Sequence, residues 1–155
     1  MAGGEARVTP GTLAAFLWLL TGFFLARVLG QVLVAVFDVG FLTPMAAWYS
    51  GFIPYPILLP TQVAMLGVMV KINRDVSLGA GLFAAPRPRL GRFLRWFAIV
   101  YFLAMVGRYA ITMALYPERR WLGGAIPIAF HWVLAGYLFL WSRYNTSGSA
   151  GAAPA

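Results

Sequence analysis

The sequence predicts an all-α integral membrane protein: a four-transmembrane-helix bundle whose second helix is kinked or partly unwound by prolines. Three observations predict it. Charged residues make up only 10% of the 155-residue chain, where a soluble domain carries roughly a quarter. Hydrophobic residues reach 61% and the mean hydropathy is +0.78, leaving little polar surface to hold a compact particle in water. Four apolar segments come close to or exceed the roughly 20 residues that span a hydrocarbon core of about 30 Å at about 1.5 Å per residue.

Residues 1–12 form a short N-terminal stretch with Arg7 as its only cation. The apolar run behind it is longer than the roughly 7 to 15 residues of a signal-peptide core, so no cleaved signal is expected. The membrane domain covers residues 13–143. Its first span, 13–37, is interrupted only by Arg27 and Gln31. The second, 52–70, ends before Lys71 and contains Pro54, Pro56 and Pro60. A proline removes a backbone donor and crowds the preceding turn, so the regular part of this helix is expected after Pro60. The segment before it, Phe41 to Tyr55, then reads as a non-helical or interfacial connection, with Trp48 and Tyr49 at headgroup level. The third span, 93–116, stops at Pro117, and the fourth covers 122–141. Residues 144–155 end in SGSAGAAPA, small and polar, and read as a flexible tail.

Orientation follows from the cations, because positive loops are retained in the cytoplasm. The link 71–92 holds Lys71, Arg74, Arg87, Arg89 and Arg92, and Arg95 follows just beyond it. The link between the first two spans holds no Lys or Arg, and the one between the last two has Arg119 and Arg120 beside Glu118. A positive-inside arrangement therefore puts both termini and the long basic link in the cytoplasm, a multi-pass topology that Arg7 and Arg143 fit. Pro86 and Pro88 stiffen the basic link and keep its charges out of the bilayer. The net charge of +8 then points to anionic lipid headgroups and not to nucleic acid.

A faint repeat relates the two halves: Gly51, Ile53 and Pro54 echo Gly124, Ile126 and Pro127, and Asp38 and Glu118 each close a span. Few residues match, and chance explains them.

One constellation carries chemistry. Counted from the far ends of their spans, Arg27, Arg108 and His131 lie at one depth, about 12 to 15 Å below that surface. Gln62 and Thr61 reach a similar level, and Gln31 stands one turn beyond Arg27. An intramembrane guanidinium costs about 2.5 to 3.5 kcal/mol on insertion scales unless paired or wet, so such residues default to function. The chain has only four acidic residues, none central to a span, so partners are scarce. Arginine's planar fork of donors suits an anion. The expectation is a ligand-binding site of Arg27, Arg108, His131, Gln31 and Gln62, with Trp132 beside it. Its candidate ligands are an anionic lipid, a polyprenyl phosphate, a cofactor carboxylate or an acidic residue of another membrane subunit. The rival expectation is that the arginines satisfy backbone carbonyls freed by Pro and Gly.

A lone membrane histidine can also ligate haem or a chlorin. A bis-histidine haem would need a second copy of the chain or another subunit, and Pro127, four residues before His131, favours local structural duty. No metal site is expected: the chain has no cysteine and no HExxH, and phosphate-loop and GxSxG signatures are absent as well. Gly22, Gly30, Gly107 and Gly136 read as close-packing positions. The remaining tryptophans, Trp18, Trp96, Trp121 and Trp141, read as interfacial anchors.

The functional expectation is an accessory or assembly subunit, or a lipid-binding or cofactor-binding module, partnered by membrane lipids, another subunit or its own copies. The alternatives are a membrane enzyme acting on a lipid or isoprenoid intermediate, with His131 as acid or base, and a small transporter.

Overall fold

A computed structural model describes residues 10–37, 54–116 and 125–147. Every regular element among them is an α-helix: α1 (Pro10–Phe37), α2 (Tyr55–Leu78), α3 (Pro88–Leu115) and α4 (Ala125–Ser147). The interfacial stretch around Trp48 and Tyr49 lies outside these residues. So do Arg7, Asp38, Gly51, Ile53, the segment from Pro117 to Gly124 and the tail beyond Ser147.

Three helices, α1, α2 and α3, are long and apolar enough to cross a membrane. The fourth, expected as a span, is not among them. Its sequence gives the reason. His131, Trp132 and Tyr137 interrupt the apolar residues, and from Ser142 onward the helix is polar. Its packing gives a second reason: α4 lies between α1 and α3, and most of its side chains are buried or half-buried. A helix enclosed by other helices needs less lipid-facing apolar surface than one standing at the edge.

The second helix also differs from expectation. It is helical from Tyr55 and runs unbroken through Pro60 to Leu78. Pro54 stands at the N-cap and Pro56 falls in the first turn, where the amide has no intrahelical acceptor to lose. Only Pro60 removes a ladder bond. The polar residues after Val70 continue this helix, because Lys71 and Asp75 stand one turn apart and pair, Nζ to Oδ1 at 2.6 Å. On the other side α3 begins at Pro88, a proline in the first turn after the extended Arg87. The non-helical connection between them is therefore residues 79–87, shorter than the 71–92 link read from charge.

That connection is tightly held. Gly79 ends α2 in the left-handed conformation, φ 63°. Gly81, at φ 113°, passes so close to Asp75 that a Cβ would sit 2.5 Å from its carboxyl carbon. The Asp75 carboxylate accepts from the Phe83 amide at 3.1 Å. The end of α4 supplies the rest. Tyr144 donates its hydroxyl to the Ala84 carbonyl, Asn145 Oδ1 accepts from the Arg87 amide at 3.0 Å, and Trp141 meets the Phe83 ring edge-on at 5.8 Å.

The helices pack in the order α2, α1, α4, α3. Bonds between them fix their directions. Thr21 meets Asn73 and Trp18 meets Ser77, so α1 and α2 are antiparallel. Arg95 meets Thr146 and Tyr101 meets His131, so α3 and α4 are antiparallel as well. The core sits among α1, α2 and α4, where Leu17, Phe24, Met69, Ile72 and Tyr137 are buried. At its centre Asn73, fully enclosed, donates to Thr21 Oγ1 at 2.8 Å and accepts the Tyr137 hydroxyl at 2.9 Å. Thr21 in turn donates to the Leu17 carbonyl at 2.9 Å. Toward the 79–87 connection, hereafter the basic end, α3 closes onto α4 through Gly91, whose Cβ position lies 2.9 Å from Asn145 Cβ and 3.0 Å from the Ser142 carbonyl oxygen. Beyond Ala98, α3 has no fully buried residue.

Candidate functional site

The half of the molecule away from the basic end is built differently. Arg27 lies on the buried face of α1, 8% exposed, one turn before Gln31. Its Nη1 donates to Gln31 Oε1 at 3.3 Å, a long bond to a neutral acceptor. Its guanidinium carbon stands 5.4 Å from the centroid of the Phe130 ring on α4, a cation–π contact. Its Nε is buried without a hydrogen-bond partner.

His131 follows Phe130 on α4, and its Nδ1 is hydrogen-bonded to the Tyr101 hydroxyl of α3. The two rings meet edge-on, with centroids 5.7 Å apart. Arg27 from α1 and Arg108 from α3 are both close enough to this Tyr–His pair to act on it electrostatically. Three helices thus contribute to one cluster of two cations, a phenol and an imidazole. Arg108 stands two turns beyond Tyr101 on α3, exposed, with no hydrogen bond or ion pair among the described residues.

Asp75 is the one acidic residue among the described residues, and it is engaged at the basic end by Lys71 and the Phe83 amide. Asp38 and Glu118 lie outside the described residues. Two guanidinium groups therefore share a part-buried site in which no described residue supplies a countercharge. No described group of His, Cys, Asp and Glu residues is arranged to hold a metal ion.

The chain matches no protein-family model, no curated protein and no solved structure. The site therefore has to be read from its own geometry.

The structure joins Arg27 to Gln31 and Phe130, and His131 to Tyr101, while Arg108 acts on the Tyr–His pair electrostatically with no described hydrogen bond or ring contact to it. It does not join Gln62 to them: Gln62 is buried on α2, its Oε1 has no hydrogen-bond partner, and no described contact links it to the cluster. Thr61 is occupied locally, donating to the Ile57 carbonyl at 2.8 Å. Trp132 points into a separate aromatic group, with centroids 6.0 Å from Phe102 and 5.9 Å from Tyr109, and its Nε1 is buried without a partner. Pro127 is the third described residue of α4, and the Gly123 carbonyl it would leave without a donor lies outside the described residues. The described partner of His131 is Tyr101. A metal-bearing macrocycle would have to use Nε2, since Nδ1 is taken.

Two residues of the site escaped the sequence reading. Tyr101 was one aromatic among many in a span, and the signal that singles it out is its spacing of seven residues from Arg108, which places both on one face of α3. Phe130 carries no signal beyond its adjacency to His131.

Proposed function

We propose that this chain is a four-span membrane protein with cytoplasmic termini, acting as an assembly subunit or binding module whose Arg27–Arg108–His131 site takes an anionic group. In this reading α4 crosses the membrane as the enclosed member of the bundle. The basic residues around the 79–87 connection face anionic lipid on the cytoplasmic side.

The observation that carries the reading is the buried Arg27. Its Nε has no partner, its one hydrogen bond goes to a neutral amide, and a second arginine converges on the same Tyr–His pair. A permanent cation held this way in a low-dielectric layer favours a negative ligand strongly, because unpaired charge there is costly. The rival idea, arginines satisfying carbonyls freed by prolines, finds less support: Pro54 and Pro56 free none, and the one hydrogen bond of Arg27 among the described residues goes to the Gln31 side chain and not to a carbonyl of the backbone.

The test is mass spectrometry of the chain released gently from its native membrane, alongside an Arg27→Leu, Arg108→Leu double variant. The expected result is a stoichiometric anionic lipid, cofactor or protein partner that is lost in the double variant while the helical content is kept. A bare chain in both preparations would overturn the reading. The Tyr101–His131 hydrogen bond favours one second reading, acid–base chemistry on a lipid or isoprenoid intermediate. It calls for an activity that His131→Ala abolishes without unfolding the bundle.

A further inference from the structure

The geometry points to a carboxylate carried on a transmembrane helix of another chain as the occupant of this site, lying in the groove that α1 and α3 leave over α4. The inference rests on the anion-site reading above and names its partner.

The groove follows from the packing. α1 and α3 each pack along α4, and neither packs along the other. α3 closes tightly on α4 near Gly91, yet beyond Ala98 it buries no residue fully. Arg27 stands on the α1 side, Phe130 and His131 at the back, and Tyr101 and Arg108 on the α3 side. The α3 wall continues from Tyr101 as an aromatic ladder: Phe97 stacks on Tyr101 at 5.8 Å and Phe93 on Phe97 at 6.1 Å. Phe93 and Phe97 are 64% and 48% exposed, an apolar surface that a helix can cover.

Depth selects the occupant. Arg27 lies ten residues from the end of α1 at Phe37, and Arg108 lies seven from the end of α3 at Leu115. At about 1.5 Å per residue each 28-residue helix is about 42 Å long, so centred on a hydrocarbon core of about 30 Å it puts Arg27 about 10 Å and Arg108 about 5 Å inside the hydrocarbon edge. A phospholipid phosphate would have to leave the interface to reach Arg27. A Glu or Asp in the middle of a partner helix is already there, and pairing with Arg27 and Arg108 relieves three intramembrane charges together. In the tautomer where the Tyr101 hydroxyl donates to Nδ1, the His131 ring proton sits on Nε2 and gives the carboxylate a further donor.

The probe is a leucine-rich transmembrane peptide with a single central Glu, compared with its central-Gln twin. Each carries an acceptor dye and is reconstituted with the donor-labelled full-length chain in phosphatidylcholine vesicles. Energy transfer should show the Glu peptide associating at least about tenfold more tightly, and the preference should vanish in Arg108→Leu, a substitution at an exposed position that leaves the fold intact. Equal association of the two peptides, or a Glu preference that survives both Arg108→Leu and the double arginine variant, overturns the inference. Phosphatidic acid retained on the purified chain in an Arg27- and Arg108-dependent way, without a Glu preference, overturns the partner helix but keeps the anion site. Indifference of both probes to the arginines overturns both.

Discussion

The two polar layers of this bundle solve opposite problems. Near the basic end, Thr21, Asn73 and Tyr137 bond to one another across α1, α2 and α4, and each has a partner within 3 Å. Toward the far end, Arg27, Tyr101, Arg108 and His131 draw on α1, α3 and α4, and the strongest donors there are the least satisfied. Neutral groups that satisfy one another rigidify a core. Like charges gathered without a countercharge do not, because unpaired charge in a low-dielectric layer is costly. The proposed division of the chain into scaffold and site rests on this difference.

The comparison can be broken most severely at Asn73. Asn73→Leu removes an interhelical partner from both Thr21 and Tyr137, whose hydroxyls keep only the Leu17 and Met69 carbonyls as acceptors, an expected loss of about 2 kcal/mol from the two lost bonds together. Thermal unfolding in detergent, followed by circular dichroism, reads the drop. Gly91→Leu comes next: the side chain must displace Asn145 and the Ser142 carbonyl, prising α3 from α4, an overpacking cost of about 1 to 3 kcal/mol in the same assay. Tyr137→Phe deletes one hydroxyl from the saturated layer while Asn73 keeps its bond to Thr21. About 0.6 to 1 kcal/mol is expected, in line with single interhelical hydrogen bonds in membranes. The smallest effect belongs to the far layer. Arg108→Leu should leave the unfolding midpoint within about 0.5 kcal/mol of wild type, because the side chain is exposed and unpaired among the described residues.

Much of the far layer was legible in the sequence because depth in a membrane is a linear count. Residues ten from one end and eight from another are expected near one level, and Arg27 and Arg108 both act electrostatically on the pair that His131 makes with Tyr101. The count could not give azimuth, which is why Gln62 and Trp132 reach the right depth and face elsewhere. The saturated layer was illegible for another reason. Asn73 follows Lys71 and precedes Arg74, where charge alone reads as a loop, and the i,i+4 Lys71–Asp75 pair that keeps α2 helical there is hidden among the basic residues. Pro54 and Pro56 misled in the opposite direction, since the start of α2 puts them at the N-cap and in the first turn, where no ladder bond is lost. α4 shows the limit of hydropathy: the most enclosed helix of the bundle is the one whose described residues are not apolar enough to qualify as a span.

If the arginine layer is a site and not part of the scaffold, its removal should cost the fold nothing. The most direct measurement compares the unfolding midpoint of the Arg27→Leu, Arg108→Leu double variant with that of wild type and of Asn73→Leu, all stripped of ligand in a neutral detergent. The account predicts a double variant at least as stable as wild type, with Asn73→Leu well below both. A double variant that unfolds as early as Asn73→Leu would contradict it and assign the two arginines to the scaffold.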